Sequence, residues 1–188
     1  MSNKNDSREK ILSAATRLFH LQGYHATGLS QILKDSGAPK GSLYYHFPNG
    51  KEQLAIEAVK RMDTLIKNDI SCSMGKYEGA AEAVQMHIQK IASDFNNKEI
   101  ECIPIGLLVA ETSMISEPIR EACEAAVEGW EELYSNKLIS EGFEPELAKK
   151  LGVTINSMID GAVTRSLISK DSQPLVLVSE CIASLLKT

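Results

Sequence analysis

The stretch that decides the fold runs from residue 29 to residue 47 and reads LSQILKDSGAPKGSLYYHF. Ile32 and Leu33 can form the apolar contact of a first short helix, and Leu43 is the matching contact of a second. Between the two helices, Gly37 can adopt the left-handed backbone conformation that a tight turn requires. Two short helices with facing apolar residues and a glycine in the turn are the pattern of a helix-turn-helix.

The second of these helices has an outer face suited to the major groove of DNA. Its outward positions hold small, polar or aromatic residues: Lys40, Gly41, Ser42, Tyr44, Tyr45 and His46. Such residues can meet phosphates, base edges and thymine methyl groups, and a glycine allows close approach of the backbone. The residues alone leave alternatives open, since one tyrosine could pack inside a small domain and His46 could cap the end of the helix. Leu43 and Phe47 are predicted to be core residues.

The charge of the chain is divided unevenly along its length. The 188 residues carry a formal net charge of −5, from 20 basic and 25 acidic residues. Residues 1–50 hold six basic and three acidic residues, a net charge of +3, so the remainder carries −8. The acidic mean therefore does not exclude nucleic acid as a partner, because the basic segment supplies local attraction for phosphate.

The composition indicates an ordinary globular protein. The hydrophobic share of 43% is too high for intrinsic disorder. No stretch approaches the roughly 20 apolar residues of a membrane-spanning helix, so no membrane association is expected. The polar first ten residues lack the apolar segment of a secretory signal, and a cytoplasmic location is expected.

Motifs of catalysis and metal binding are missing from the sequence. The cysteines are scattered and form no C-x-x-C pair: Cys72, Cys102, Cys123 and Cys181. Reduced thiols are therefore favoured over a metal or redox site. No G-x-S-x-G, H-E-x-x-H or P-loop pattern occurs, so neither an enzyme, a metal nor a cofactor is expected. A small hydrolase using His87, Glu111 or Cys102 is the disfavoured alternative.

Apolar residues recur at intervals of three and four along nearly the whole chain, which predicts an all-α fold of about nine helices. The predicted helices cover residues 7–23, 29–36, 40–47, 51–73, 80–97, 105–115, 117–141, 145–170 and 174–186. Residues 1–50 are predicted to form a three-helix helix-turn-helix domain. Residues 51–188 are predicted to form a second helical domain, joined to the first by the long helix that starts near residue 51.

Several runs of sequence resemble the DNA-binding domain of TetR-family transcriptional regulators. These runs are residues 23–27 (GYHAT), 36–47 (SGAPKGSLYYHF) and 51–54 (KEQL). The resemblance covers about residues 7–60, and KGxLYYHF is a specific signature. Residues 104–108 (PIGLL) and 155–159 (INSMI) are similar to the LmrA/YxaF-like subgroup of that family. The resemblance implies a DNA-binding regulator, in most family members a repressor.

The resemblance also implies a division of roles within the motif. Thr27 and Lys51 would contact phosphates, and the six outward residues from Lys40 to His46 would form the recognition helix. Lys40 and the tyrosine hydroxyls would position the domain on the DNA backbone, while Gly41 and Ser42, with Tyr45, would touch bases.

A homodimer is expected from the geometry of operator sites. One such domain makes few contacts, and paired copies roughly 34–36 Å apart on near-palindromic double-stranded DNA gain affinity. In the family the last two long helices usually form the dimer. Their apolar or small positions suit a four-helix contact: Ile155, Ile159, Ala162, Val163, Leu177, Val178, Ile182 and Leu185. The alternative is that these residues are core within one chain.

A small-molecule pocket among the longer helices is a further implication of the resemblance. The candidate lining residues are aromatic, aliphatic, thioether or polar: Ile66, Met86, His87, Ile91, Phe95, Leu108, Thr112, Trp130, Tyr134, Asn156 and Met158. Glu111 is one more polar candidate. The same residues could instead simply fill a helical core. The subgroup resemblance indicates a small apolar or aromatic effector, drug-like or flavonoid-like.

The function expected from these observations is that of a dimeric repressor released from its operator by such a ligand. The long helix that starts near Lys51 would act as the lever between recognition helix and pocket. The alternative is a DNA-binding protein with no small-molecule effector, whose second domain docks a protein partner.

Overall fold

The structure, a computed structural model, describes residues 3–97 and 105–186. Within these ranges the chain forms nine α-helices and no β-strand, which confirms the all-α prediction. The helices are α1 (Asn3–Ala26), α2 (Leu29–Ser36), α3 (Lys40–His46), α4 (Gly50–Lys76), α5 (Ala80–Asn96), α6 (Ile105–Thr112), α7 (Glu117–Ser140), α8 (Pro145–Ser169) and α9 (Gln173–Leu185). None of the helices in the described residues combines the length and apolarity that crossing a bilayer requires.

Helix α1 differs most from its predicted bounds, because it begins at Asn3 rather than near Ser7. Its polar first turn is stabilised by Asp6, whose carboxylate lies where a negative charge favours a helix and is 2.7 Å from Lys10 Nζ. Gly23 then interrupts the helix with φ 80° and ψ 175°, and one further turn continues to Ala26. The predicted end at Gly23 is therefore a kink.

The contacts among the described residues divide the chain into two compact units. The first unit holds the residues up to Asp63 together with those from Ile105 to Ala126, and the second holds the rest. Helix α6 packs against α1 and so groups with the helix-turn-helix, although the sequence pattern assigns it to the second domain. Helix α4 begins in the first unit and ends in the second.

The core of the first unit follows the apolar spacing of α1. This helix contributes four residues from one face, all nearly or fully buried: Ile11, Ala15, Leu18 and Phe19. Ile32 of α2, Leu43 of α3 and the adjoining Phe47 are also fully buried. Burying one such large side chain is worth about 1.5–3 kcal/mol. Both short helices pack against α1, which buries Ile32 and Leu43, and Leu33 is half-buried.

The second unit is built around α9, which packs against both α5 and α8. Helices α7 and α8 approach closely at Gly152, where a Cβ atom would overlap the carbonyl oxygen of Glu131 and the hydroxyl of Ser135. The Ser135 hydroxyl donates a hydrogen bond to the Ala148 carbonyl (3.1 Å) across the same contact. This close packing turns one face of α7 toward the interior of the unit.

Candidate nucleic-acid interface and effector site

The turn between α2 and α3 has the geometry that the glycine predicts. Gly37 has φ 64°, and its N–H donates to the Leu33 carbonyl at 3.1 Å, which closes α2. The buried side chain of Leu43 packs the inner face of α3 into the core of the first unit. The helix ends where the Phe47 N–H donates to the Leu43 carbonyl at 2.7 Å. A short helix held this way presents its opposite face outward.

The outward face of α3 carries the predicted recognition residues. Tyr44 is 50% exposed and Tyr45 is 67% exposed, so neither tyrosine packs in the core. Lys40 and Gly41 are exposed as well, while Ser42 and His46 are half-buried. An open depression of about 730 Å³ runs along this face, lined by residues of α3, of the preceding turn and of the start of α1.

Gly41 is not required by the packing of the chain itself. A Cβ atom at this position would meet no other atom within 4 Å. A glycine inside a helix costs about 1 kcal/mol relative to alanine. Because nothing in the chain needs the missing side chain, Gly41 fits close approach by a binding partner such as the DNA backbone or a base edge.

The basic residues of the motif are only partly available for phosphate. Arg8 pairs with Glu57, and Arg17 pairs with Asp35. Lys34 and Lys40 are exposed and form no ion pair with any described residue. Lys40, a predicted contact, and Lys34, which is not among the predicted contacts, are therefore available to a phosphate, and a phosphate contact by either stays a prediction.

Thr27 is buried, in contrast to the exposed position that a side-chain contact with phosphate requires. Its side chain is fully buried, and its hydroxyl donates to the Gly23 carbonyl at 2.7 Å. The hydroxyl donates its proton within the turn that follows the α1 kink, so it does not face a phosphate in this structure. The sequence could not reveal this because a threonine just before a helix is also a common capping residue.

Lys51 is half-buried at the start of α4 and contacts the end of α1. Its ammonium lies 4.3 Å from the centre of the Tyr24 ring and donates to the His25 carbonyl at 3.4 Å. Burial lowers the pKa of Lys51, and the Glu111 carboxylate acts in the opposite direction. A phosphate contact by Lys51 stays a prediction, and its contacts within the chain are an additional role.

The predicted effector residues do not all fall in one unit. Leu108 and Thr112 are buried in the first unit, where the Thr112 hydroxyl donates to the Leu108 carbonyl at 2.7 Å. Glu111 also lies there, and its carboxylate accepts a hydrogen bond from the His25 N–H. These three residues therefore belong to the first unit, and an effector contact by them stays a prediction. The remaining nine are in the second unit: Ile66, Met86, His87, Ile91, Phe95, Trp130, Tyr134, Asn156 and Met158.

Polar groups lie inside the second unit among these residues. His87 is 3% exposed, its Nδ1 is 3.1 Å from the Ser73 hydroxyl, and its ring centre is 6.0 Å from that of Tyr134. Burial lowers the pKa of His87 to about 4, although Asp69 opposes the shift. The imidazole is therefore neutral near pH 7. Tyr134 and Asn156 are 2% and 5% exposed, and neither side chain forms a hydrogen bond with another described residue.

Two carboxylates act electrostatically on the hydroxyl of Tyr134. Burial raises its pKa, and the negative charges of Asp160 and Asp69 raise it further. Asp160 lies one turn after Asn156 on α8, and its own pKa is raised to about 6 by desolvation and by Glu131. Asp69 also pairs with the ammonium of Lys90 at 3.0 Å, so its charge is partly balanced.

The predicted dimer residues divide into two groups. Ile155, Ile159, Ala162 and Ile182 are at most 7% exposed within one chain, so they are core residues and cannot form its outer surface. The reason is that α9 packs on α5 and α8 of the same chain and uses one face of each helix. The other four positions reach the surface: Val163 and Val178 are half-buried, and Leu177 and Leu185 are 52% exposed.

The described residues contain no group of three or more His, Cys, Asp or Glu side chains that could hold a metal ion. Cys72, Cys123 and Cys181 are free thiols, and burial raises the pKa of Cys123 to about 11. Cys102 lies outside the described residues.

Two protein-family models match the chain. The model of bacterial regulatory proteins of the tetR family matches residues 11–58, and the model of the C-terminal domain of LmrA/YxaF-like transcriptional regulators matches residues 80–181. The chain is a DNA-binding transcriptional regulator with a helix-turn-helix, and not an enzyme. It belongs to the TetR family, in which its C-terminal half is of the LmrA/YxaF-like type.

Individual relatives agree over nearly the whole length. The uncharacterized HTH-type regulator YxaF of Bacillus subtilis (strain 168) is 52% identical over 188 residues, which is 100% of this chain and 98% of the relative. The HTH-type regulator LmrA of the same organism is 52% identical over 97% of each chain. The crystal structure of a TetR transcriptional regulator from Legionella pneumophila matches this chain with a TM-score of 0.82 at 22% sequence identity. The match covers 100% of this chain and 99% of that chain, so the two have the same fold.

Proposed function

We propose that the chain is a cytoplasmic, dimeric repressor that binds a near-palindromic operator and is released by a small apolar or aromatic ligand bound in the second unit. The observation that carries the proposal is the interior of the second unit, where the buried aromatic side chains of Trp130 and Tyr134 occur together with the buried imidazole of His87. The hydroxyl of Tyr134 forms no hydrogen bond with another described residue. An aromatic ligand could therefore pack against these rings and form a hydrogen bond with that hydroxyl.

The charges of this interior favour one ligand chemistry over another. The carboxylates of Asp69 and Asp160 already raise the pKa of Tyr134, and the neutral His87 offers no positive charge. Although Asp69 pairs with Lys90, the charges acting on Tyr134 are those of carboxylates, so an anionic ligand is less favoured here than an uncharged or cationic one. We therefore expect an apolar or aromatic frame with hydrogen-bonding substituents, which includes uncharged drug-like and flavonoid-like molecules.

The proposed dimer surface lies on the outer faces of α8 and α9. Leu177 and Leu185 share one face of α9 with Cys181, since the three are spaced at intervals of four residues, and all are exposed. Val163 and the 50%-exposed Leu167 form a similar pair on α8. Exposed apolar positions of this kind on two packed helices are typical of an interface, and a second copy would cover them.

The proposed release is a shift between two arrangements of the dimer. A ligand lowers operator affinity only by as much as it prefers the arrangement that does not fit the DNA, so a hundredfold release requires about 2.7 kcal/mol of differential affinity. Helix α4 is the proposed lever, because it begins just after the recognition helix and continues into the unit that holds Tyr134.

The test uses the full-length chain and a duplex selected from random-sequence DNA. Sedimentation should give two chains for each duplex. Uncharged and cationic aromatic compounds should release the labelled duplex in a fluorescence-anisotropy assay, while anionic compounds of similar size should not. If every compound left operator affinity unchanged or made it tighter, simple induction would be wrong. The alternative, a second domain that docks a protein partner, would then be favoured.

A further inference from the structure

The connection between α1 and α2, residues 23–27, is held in one conformation by hydrogen bonds. Four successive carbonyl oxygens each accept one: Gly23 from the Thr27 hydroxyl (2.7 Å), Tyr24 from the Thr27 N–H (3.2 Å), His25 from Lys51 Nζ (3.4 Å) and Ala26 from the Gln22 amide (3.0 Å). The donors come from the connection itself, from the preceding turn of α1 and from α4. The carbonyl groups of this short segment are therefore satisfied within the N-terminal part of the chain.

The N–H of His25 has its partner much further along the sequence. It donates to the carboxylate of Glu111 at 3.0 Å, 86 positions away on α6. The same two residues are joined a second time, because the ring Nε2 of His25 lies 2.9 Å from the carbonyl oxygen of Glu111. A carbonyl oxygen can only accept, so the imidazole is the donor. Glu111 is thus held against the connection by both its side chain and its backbone.

Gly23 makes room for this contact. Its φ of 80° is in the left-handed region, and a Cβ atom there would overlap the carboxylate of Glu111. The glycine is therefore needed for two reasons, one conformational and one steric. The kink of α1 at Gly23 lies where the Glu111 carboxylate of α6 contacts the backbone. This indicates that α1 and α6 pack closely at this point.

The connection leads directly into the helix-turn-helix. Gly28 follows it, and its carbonyl accepts the N–H groups of Gln31 and Ile32 at 3.1 Å, which begins α2. Gln31 in turn exchanges hydrogen bonds with Gln22 of α1, at 2.9 and 3.2 Å. A shift of the connection would therefore change the orientation of α2, and with it that of α3.

We infer that Glu111 is a positioning residue for DNA binding: from α6 it holds the 23–27 connection, and thereby α2 and the recognition helix α3, in the orientation that the operator requires. The inference rests on the DNA binding of the family and is independent of any ligand. It also means that residues 11–58, which match the N-terminal family model, do not complete the DNA-binding unit without α6.

Two conservative variants of the full-length chain separate the effect of the length of the Glu111 side chain from the effect of its negative charge. Glu111→Gln keeps an oxygen that can accept from the His25 N–H but loses the charge. Glu111→Asp keeps the charge but withdraws the acceptor by one methylene. Binding is measured on a duplex that the unmodified chain has selected from random-sequence DNA. A scrambled duplex of equal length is the control. We expect Glu111→Gln to bind the selected duplex within about threefold of the unmodified chain, and Glu111→Asp to bind it about tenfold more weakly.

Glu111→Ala and a charge-matched control give the second comparison. Glu121 is exposed on α7 in the same unit and forms no ion pair with a described residue. Removing a carboxylate from a DNA-binding protein by itself favours DNA binding, so Glu121→Ala should bind at least as tightly as the unmodified chain. Glu111→Ala should instead lose about tenfold on the selected duplex and less than twofold on the scrambled duplex.

Amide hydrogen exchange supplies a readout that does not depend on DNA. The His25 amide should lose protection in Glu111→Ala and Glu111→Asp and keep it in Glu111→Gln. The inference is overturned if Glu111→Ala binds both duplexes as Glu121→Ala does, or if the aspartate variant binds normally and the glutamine variant does not. Should the alanine variant fail to fold, the glutamine and aspartate pair still decides.

Discussion

The 23–27 connection and the interior around Tyr134 differ in how their polar groups are paired. In the connection, each carbonyl from Gly23 to Ala26 has a hydrogen-bond donor, and Glu111 supplies the acceptor for His25. In the interior of the second unit, the side chains of Tyr134 and Asn156 form no hydrogen bond with another described residue. Hydrogen bonds within the chain hold a single conformation, whereas polar groups without a partner in the chain can form hydrogen bonds with a ligand. The first arrangement suits DNA recognition and the second suits sensing.

The two exposed faces differ as well. The outer face of α3 displays tyrosines, a lysine and a glycine, which are groups that can meet both phosphates and bases. The outer face of α8 and α9 displays leucine and valine, which gain only from contact with another apolar surface. The following changes test this division, beginning with the largest expected effect.

Leu177→Glu should have the largest effect. A carboxylate at the 52%-exposed position on α9 would oppose the proposed contact between two copies. A single copy on one half-site loses the advantage of two linked sites, so operator affinity should fall by roughly a thousandfold. Leu147→Glu is the matched control, since Leu147 is 46% exposed at the start of α8 and outside the proposed surface. If Leu177→Glu still sedimented as a dimer, that surface would be wrong.

His87 should make the folded state less stable in mild acid. Its pKa is lowered to about 4 in the folded chain, below the ordinary value of 6.5, so between these values the unfolded chain binds a proton that the folded chain does not. The free energy of unfolding should therefore fall as the pH drops from about 6.5 to about 4, by an amount on the order of 3 kcal/mol from this residue. Urea denaturation at several pH values measures it. His87→Gln should remove that part of the slope, and an unchanged slope would show that the imidazole is not buried as described.

Much of the fold could be predicted from the sequence, because helix periodicity and turn residues are local signals. Helix α2 has its predicted bounds, and Gly37 and Gly142 mark turns as expected. The position of Glu111 could not be predicted, since its partner His25 is 86 residues away and an acidic residue on an apolar helix has no specific pattern. Periodicity likewise could not separate Ile155 of the core from Leu177 of the surface.

Thr27→Val and Tyr134→Phe form a matched pair with smaller effects. Each removes one buried hydroxyl, but only that of Thr27 has a hydrogen-bond partner among the described residues. Thr27→Val should lower the free energy of unfolding by about 1 kcal/mol, whereas Tyr134→Phe should leave it unchanged or raise it. Tyr134→Phe should also weaken an effector about fivefold without changing operator affinity. Equal destabilisation by the two variants in thermal or urea unfolding would contradict the comparison.

The central claim is that the outward face of α3 reads the DNA sequence. Selection from random-sequence duplex DNA, carried out in parallel with the full-length chain and with Tyr45→Ala, tests it most directly. The chain should enrich a two-fold symmetric sequence with half-sites one or more helical turns apart, and Tyr45→Ala should lose preference at specific bases in each half-site while remaining a dimer. Enrichment of the same sequence with the same base preferences by both proteins would contradict the claim.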